Sequence, residues 1–299
     1  MGENENRVPY KRRWGDRRDA RRVQAPGLQT IMSYLLPNRT DCEVYLHDTF
    51  DATALVAWLE ERNAEHPDYK TTIFHCFVTI VARMVRERPK MNRFIQGWRM
   101  YERNEISLSF VAKRRFADGA DEALMVLVPK DDDTVDGISR KIVGDVRETR
   151  KSETSTGGID ALMDSLAKLP RLLLAAFVRV VRWLDFWGIN PKALTDGDPN
   201  YTTVLLSNLG SIRCPAVYHH LNNYGTNSIM ITIGTLHKEK LLMEDGTEQI
   251  RDVVDIGATL DERIADGFYF SRSLRLVKHI FAHPELLDRP LNKESGFEY

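Results

Sequence analysis

Apolar residues in the first half of the chain follow strand-like and helix-like periods in turn. Residues 43–50 and 106–112 alternate apolar and polar side chains, which predicts strands with one buried face. Residues 123–128 are continuously apolar, which is typical of a strand buried on both faces. Elsewhere apolar residues recur every three or four positions, and this spacing predicts three helices, over residues 52–64, 72–88 and 135–150.

The second half of the chain is rich in predicted strands. Strands are expected over 202–206 and 228–236, and a hairpin is expected around residues 244–246. A helix over 267–282, stopped before Pro284, closes the pattern. Helices come early and a sheet comes late, with no Pro-, Gly- or Ser-rich linker to divide them. This order predicts a single α/β domain, a two-layer sandwich with a mixed sheet.

Composition and charge narrow the possible functions. Hydrophobic residues make up 42% and charged residues 28% of the 299 residues, as in an ordinary soluble globular protein. The net charge of −1 provides no global field, so no nucleic-acid partner is expected. Cys42, Cys76 and Cys214 are too widely spaced for a metal pattern or a disulfide framework, which favours a cytoplasmic setting and no metal. The polar N-terminus lacks the apolar stretch of a secretory signal.

Candidate chemistry is concentrated in a few short strings. Residues 261–267 read Asp-Glu-Arg-Ile-Ala-Asp-Gly, after an apolar strand and before an amphipathic helix. Residues 207–210 read Ser-Asn-Leu-Gly, and the apolar strand over 229–234 then ends in Gly. In the first half, a helix ends in Glu-Arg-Pro-Lys-Met-Asn, residues 87–92. Each string alone is a weak signal, because short strings recur by chance.

Several such strings in this order are more specific, and together they resemble the catalytic domain of the dihydrolipoyl acyltransferases of 2-oxo acid dehydrogenase complexes. That family has a Ser-Asn-Leu-Gly turn, then Asp-His-Arg-x-x-Asp-Gly, a helix and a Pro-x-x-Leu close. The resemblance covers roughly residues 24–290 and leaves residues 291–299 as a tail. It implies the CoA-dependent, chloramphenicol acetyltransferase-like fold, a small-molecule thioester of CoA or a related carrier as substrate, and a homotrimer with sites between subunits.

The resemblance also implies roles for three residues. In the family, the histidine of the motif is the base, the serine before Asn-Leu-Gly donates to the oxyanion, and the aspartate of Asp-Gly supports the local geometry. By position, Ser207 would be the oxyanion donor and Asp266 the supporting carboxylate. Glu262 stands where the family has its catalytic histidine.

Glutamate is a weaker base than histidine, and this leaves two functions open. A free thiol has a pKa near 8.5, a free histidine near 6.5 and a free glutamate near 4.3, so glutamate starts roughly 3 kcal/mol worse as the base. The first hypothesis is an acyltransferase that uses Glu262 as its base. The alternative is a catalytically disarmed relative that binds acyl-CoA, lipid or a protein as a structural or regulatory subunit.

The N-terminal region departs from the family. The core is expected to begin after barely 25 residues, without the lipoyl-bearing Asp-Lys-Ala string. A chain with no lipoyl group is therefore expected, which acts as a freestanding protein or supplies a domain in trans. Residues 1–23 are interpreted as a basic arm. It either lies solvated over the domain or a neighbouring subunit, or binds anionic lipid or the phosphates of CoA. Between Tyr10 and Arg22 its basic residues are Lys11, Arg12, Arg13, Arg17, Arg18, Arg21 and Arg22.

A second departure is an insertion over about residues 155–200, which contains a helix-like stretch over 168–187. At about 100° per residue, its four basic residues fall within a stripe of about 80° on an otherwise apolar helix. The stretch is too short and too charged to span a bilayer. It is expected to pack against the core or a subunit interface. The alternative is a helix that rests on an anionic membrane, making the protein peripheral to it, or that lines a long acyl chain. The basic residues are Lys168, Arg171, Arg179 and Arg182.

Overall fold

A computed structural model describes residues 13, 15–66, 69–113, 122–151, 165–189, 195, 197–243 and 245–298. The strands are β1 Ala20–Arg22, β2 Glu43–Asp51, β3 Arg93–Gln96, β4 Arg99–Arg103, β5 Leu108–Lys113, β6 Glu122–Leu127, β7 Val204–Asn208, β8 Ile229–Ile233, β9 His237–Leu242 and β10 Glu248–Asp261. The helices are α1 Gly27–Leu35, α2 Thr53–Glu65, α3 Ile73–Glu87, α4 Val135–Lys151, α5 Arg171–Phe186 and α6 Gly267–Ala282.

The central sheet is mixed and is organised around its longest strand, β10. Its order is β2-β10-β8-β7-β5-β6, with β9 also paired to β10. The β8–β7 and β7–β5 pairs are parallel, whereas β10 runs antiparallel to β2, β8 and β9. A small antiparallel sheet of order β1-β4-β3 is separate. Because β8 and β10 run in opposite directions, the end of β10 and the end of β7 lie at opposite ends of the sheet.

A layer of helices covers the sheet and shares one apolar core with it. Residues of α2, α3, α4 and α6 join residues of the sheet strands in a single buried cluster. The helix α3 is the most deeply buried, with apolar residues on nearly all sides. Thr72 and His75 cap its first turn reciprocally, and the helix ends before Pro89. The predicted α/β sandwich with a mixed sheet is confirmed.

Most predicted elements are present within a few residues of their expected bounds, but the short elements were missed. The helix α6 has the predicted bounds, and the predicted hairpin is formed by β9 and β10, although Glu244 lies outside the described residues. The prediction for β6 was wrong in one respect. This strand lies at the sheet edge, so Leu124 is exposed while Met125 and Leu127 are buried. The missed elements are β1, α1, β3 and β4.

The folded part begins before the expected boundary at residue 24. The strand β1 pairs with β4, and Arg17 is buried with its guanidinium 2.6 Å from Asp19. Arg17 also reaches Asp185 near the end of α5, at 3.5 Å. The later part of the basic arm is therefore built into the domain, not solvated over it. The earlier part of the arm, residues 1–12 and 14, lies outside the described residues.

The helix α5 does not pack against the core in the way expected. Only Asp185 is buried, while Leu172, Leu173 and Trp183 are 77%, 58% and 59% exposed. Packing against the chain's own core is therefore wrong for this side of the helix. Residues 152–164, 190–194 and 196 of the insertion lie outside the described residues. In the part of the chain that the structure describes, no helix is long and apolar enough to cross a membrane.

The cap of α3 generates a prediction about pH. Burial lowers the pKa of His75 to about 4. A histidine that is hard to protonate when folded contributes stability that is complete above its unfolded pKa, near 6.5, and is lost as pH falls towards 4. We expect the free energy of unfolding to fall by about 1 kcal/mol from pH 7.5 to 5.5 because of this residue alone. Urea unfolding at several pH values should show the loss.

A matched pair of variants isolates His75 from the other titrating groups. His75→Gln should flatten the slope of stability against pH between 7.5 and 5.5. His219→Gln, in an exposed loop, should leave that slope unchanged. Equal slopes for wild type and His75→Gln would show that His75 is protonated as readily in the folded protein as in the unfolded chain.

Candidate active site

A buried ion pair fixes the turn that follows β10. Arg263 donates from Nε and Nη2 to the two carboxylate oxygens of Asp261, at 2.8 and 2.7 Å. Its Nη1 donates to the carbonyl of Leu36, at 2.8 Å, which ties the turn to the segment before β2. Both side chains are almost fully buried. Burial alone would lower the pKa of Arg263, but the hydrogen bonds and charge of Asp261 raise it.

Glu262 lies between these two buried residues and is itself half-buried. Its backbone N–H donates to the carbonyl of Cys42, at 2.9 Å, so the backbone of the turn is held from both sides. No residue that the structure describes donates a hydrogen bond to its carboxylate. The glutamate is thus the one carboxylate of the motif that is not engaged in holding the turn, and it is available to an incoming proton donor.

Asp266 has a structural role in the same motif. It is the N-cap of α6, where its Oδ1 accepts from the backbone N–H of Tyr269 at 2.8 Å. This contact satisfies a donor that the first turn of the helix leaves unpaired. The side chain is exposed. Asp266 therefore starts α6 directly after the turn.

Ser207 lies near the end of β7, at the start of a tight turn. Asn208 accepts from the backbone of Ser211 through its Oδ1, which shapes the turn. Gly210 is required here, because a Cβ would come within 2.4 Å of the Gly234 carbonyl. Among the described residues, none forms a hydrogen bond with the half-buried hydroxyl of Ser207. The hydroxyl is therefore free to donate to a ligand.

Ser207 and Glu262 are not brought together within one chain. Ser207 pairs with Thr232 on β8, and Thr232 pairs with Gly257 on β10. Glu262 lies five residues beyond Gly257, past the end of β10. At the spacing of β-structure, the two residues are separated by roughly 17 Å along the strands and about 10 Å across them. A single chain cannot place both on one substrate carbonyl.

Sequence reasoning missed the residues that surround Glu262. Cys42 contributes the carbonyl that holds Glu262. Burial raises the pKa of its thiol to about 11 against the opposing charge of Arg263, which makes the thiol a poor nucleophile. Arg39 is also buried, with Nε 3.8 Å from Asp261. Only the pairing of β2 with β10 reveals these residues, because Glu43 lies opposite Asp261 in that pair. The residues before Glu43 must therefore lie beside those after Asp261.

The histidines have other roles in the structure. His75 caps α3 and is not part of the turn. His219 stacks on His220 in an exposed loop, with ring centroids 4.7 Å apart. His279 and His283 contact each other at the end of α6. Across the described part of the chain, no group of three or more His, Cys, Asp or Glu residues is placed to hold a metal ion.

The architecture is the fold of the CoA-dependent acyltransferases, the chloramphenicol acetyltransferase-like fold. Chloramphenicol acetyltransferase itself superimposes with a TM-score of 0.53 over 88% of this chain and 99% of its own, at 12% identity. Dihydrolipoamide acetyltransferase from Azotobacter vinelandii gives a TM-score of 0.58 over 89% of this chain and 93% of its own, at 14% identity. That structure comes from work on the roles of a serine, a histidine and an asparagine in its catalytic mechanism.

Sequence comparison points to the same group of proteins. No family model matches the chain. The lipoamide acyltransferase component of the branched-chain alpha-keto acid dehydrogenase complex from Bacillus subtilis strain 168 is 23% identical over 235 residues. The match covers 77% of this chain and 44% of the relative, so the chain spans less than half of that protein's length. The resemblance to the dihydrolipoyl acyltransferases and the expected fold are both confirmed.

Proposed function

We propose that the protein transfers acyl groups from a thioester of CoA or a related carrier, with Glu262 as the general base and Ser207 as the oxyanion donor. The observation that carries this proposal is the position of Glu262 and the lack of a hydrogen-bond donor to its carboxylate. It projects from a turn fixed by the buried Asp261–Arg263 pair, yet no described residue donates to its carboxylate. A general base must reach the proton that it removes, and a carboxylate with no partner among the described residues can accept that proton.

The proposed reaction needs both groups on one carbonyl. The carboxylate of Glu262 takes the proton of the acceptor thiol or hydroxyl, and the acceptor attacks the thioester carbon. The hydroxyl of Ser207 donates to the oxyanion of the tetrahedral intermediate. Collapse of the intermediate breaks the carbon–sulfur bond, and the leaving thiolate recovers the proton from Glu262. Asp266 supports the turn through its cap on α6.

The proposed site is formed between two copies of the chain in a homotrimer. The separation of Ser207 from Glu262 supports this, because the two must then come from different subunits. The helix α1 supports it independently. Leu28, Ile31 and Leu35 are exposed on a helix without any charged residue, a surface suited to another protein. We infer that α1 is covered by a neighbouring copy.

The exposed side of α5 is proposed to rest on an anionic membrane surface. Leu172, Leu173, Val180 and Trp183 form an apolar arc beside the basic stripe predicted from the sequence. Asp185 is the one acidic residue in the helix, and it is buried. An apolar arc flanked by cations suits the boundary between acyl chains and anionic head groups. The basic residues of α5 distinguish it from α1, which has no charged residue.

The second candidate function is a disarmed relative that binds acyl-CoA, lipid or a protein partner without catalysis. The replacement of histidine by Glu262 supports it, since the base is roughly 3 kcal/mol weaker towards a thiol. A reducing, cytoplasmic setting is proposed for both candidates, and a CoA thioester is the ligand of the first candidate and one of the possible ligands of the second. Activity of the Glu262 variants separates them.

Glu262→Gln should lower the rate of acyl exchange between acetyl-CoA and a free thiol by about 10² to 10⁴, the usual share of a general base. Glu262→His should give at least the wild-type rate, because it provides the stronger base in the same turn. Glu285→Gln, an exposed glutamate after α6, is the matched control and should leave the rate unchanged. Single-turnover release of the CoA thiol measures all four proteins.

The outcomes separate the two candidate functions. Wild type that is inert, with transfer gained by Glu262→His, identifies the disarmed relative with an intact thioester site. Activity that survives in Glu262→Gln would contradict the role of Glu262 as base.

The double variant Leu172→Glu/Trp183→Glu should lose most of its sedimentation with phosphatidylglycerol vesicles, because it places two negative charges in the apolar arc. Leu242→Glu/Ile250→Glu is the matched control, since these residues of the β9–β10 hairpin are 75% and 72% exposed. The control should bind vesicles as wild type does. If the α5 variant instead separates subunits and leaves vesicle binding unchanged, the arc is a subunit interface.

A further inference from the structure

A polar cavity of about 120 Å³ lies beside the motif turn. The β3–β4 turn, the C-terminal end of α5 and the segment before β2 surround it. Its wall carries amide groups from Gln96 and Asn223 and guanidinium groups from Arg39, Arg182 and Arg263. Arg263 immediately follows Glu262, so the cavity lies at the same end of the sheet as the proposed base. Acyl transfer as such requires no such cavity.

The buried wall of the cavity has more positive than negative charge. Arg39 and Arg263 share the single carboxylate of Asp261, and Arg263 occupies both of its oxygens. The Nε of Arg39 lies 3.8 Å from Oδ2 of Asp261, and this buried atom has no hydrogen-bond partner among the described residues. Its other nitrogens donate to backbone carbonyls, which carry no full charge. Burial lowers the pKa of Arg39, and the charge of Asp261 opposes this only in part.

Arg182 adds a second cation without a carboxylate partner. It lines the cavity from α5, and no ion pair joins it to any described residue. Asp185, on the same wall, is already engaged. Its carboxylate accepts from Gln96 at 2.6 Å and from Tyr201 at 3.2 Å, and it pairs with Arg17 at 3.5 Å. Asp185 lies three residues after Arg182 on α5, and no ion pair joins the two.

The rim of the cavity is strained and closely packed. Gly97 and Trp98 form the β3–β4 turn with φ of 54° and 61°, and the left-handed region is costly for a bulky residue such as Trp98. A Cβ on Gly97 would come within 2.2 Å of the Phe186 carbonyl, so the turn lies directly against α5. Trp98 is held between the rings of Tyr34 and Phe186, at 5.0 and 4.8 Å. The cavity is thus formed before any ligand arrives.

We propose that this cavity binds a small oxyanion, a carboxylate or phosphate group of a ligand, between Arg39 and Arg182. An oxyanion accepts charge-assisted hydrogen bonds from guanidinium groups and would balance the unmatched cations. The amide groups of Gln96 and Asn223 offer further polar contacts. The volume accommodates such a group with water to spare. The acyl donor or acceptor that reaches Glu262 would then carry a negative charge.

Calorimetry of the full chain at low salt tests the proposal without turnover. Succinate and inorganic phosphate are the two probes, and acetamide is the neutral comparison. Arg182→Gln should weaken binding of the preferred anion by about tenfold, the loss of one charge-assisted contact. Arg179→Gln, on the same helix but not in the cavity wall, should stay within about twofold of wild type. Acetamide should give no measurable binding.

Each outcome decides the proposal. Stronger binding of succinate assigns the cavity to a carboxylate, and stronger binding of phosphate assigns it to a phosphate group. Absence of binding by both anions would overturn the proposal. An equal loss in Arg179→Gln and Arg182→Gln would do so as well, because it would show diffuse attraction to a basic surface. Since no step of catalysis is measured, failure here leaves the role of Glu262 to its own experiment.

Discussion

The buried pair of Asp261 and Arg263 holds together the part of the molecule on which the candidate site depends. It joins the end of the central strand β10 to the segment before β2, through the Leu36 carbonyl and the nearby guanidinium of Arg39. Removing one partner of such a pair costs about 3–5 kcal/mol, because the other charge is left buried and unpaired. The pair fixes the backbone on both sides of Glu262 and leaves its carboxylate unengaged. Asp261 and Arg263 thus hold the backbone of the turn, while Glu262, between them, keeps its carboxylate unengaged.

The position of this turn within the sheet determines what one chain can do alone. The antiparallel run of β10 against β8 places Glu262 at one end of the sheet, while the parallel pair β7–β8 places Ser207 at the other. Neither position could change without breaking the register of the core strands. A transferase site that uses both residues must therefore be shared between copies. The uncharged, exposed surface of α1 would suit contact with a second copy.

The sequence was informative where one side chain decides the local structure. Pro89 ends α3 and Asp266 starts α6, so these boundaries were predictable. The strings around Ser207, Glu262 and Pro89 together indicated the fold, because their order along the chain is specific. Short strands rich in charge, such as β3 and β4, have no readable period, and they were missed. The cluster of Arg39 and Cys42 around Glu262 was missed because it depends on the pairing of β2 with β10, which no local pattern reveals.

The helix α5 shows the same limit in another form. Its periodicity predicted a helix with a basic stripe, and the helix is present. The sequence could not predict which side of the helix is covered, because several sides are apolar and each of them could be the buried one. Contacts at its C-terminal end settle the matter. Arg17 and Gln96 hold Asp185 inward, and this leaves Leu172 and Trp183 facing outward.

The central claim, a site shared between copies, is tested most directly by mixing two inactive variants. Ser207→Ala and Glu262→Gln chains are refolded together in equal amounts, and acyl exchange is compared with that of each variant alone. With random mixing in a closed trimer, about a quarter of the sites pair an intact Ser207 with an intact Glu262 from a neighbour, so about a quarter of wild-type activity should return. If both residues acted within one chain, every chain would remain defective. Activity no higher than that of the separate variants would then contradict the account.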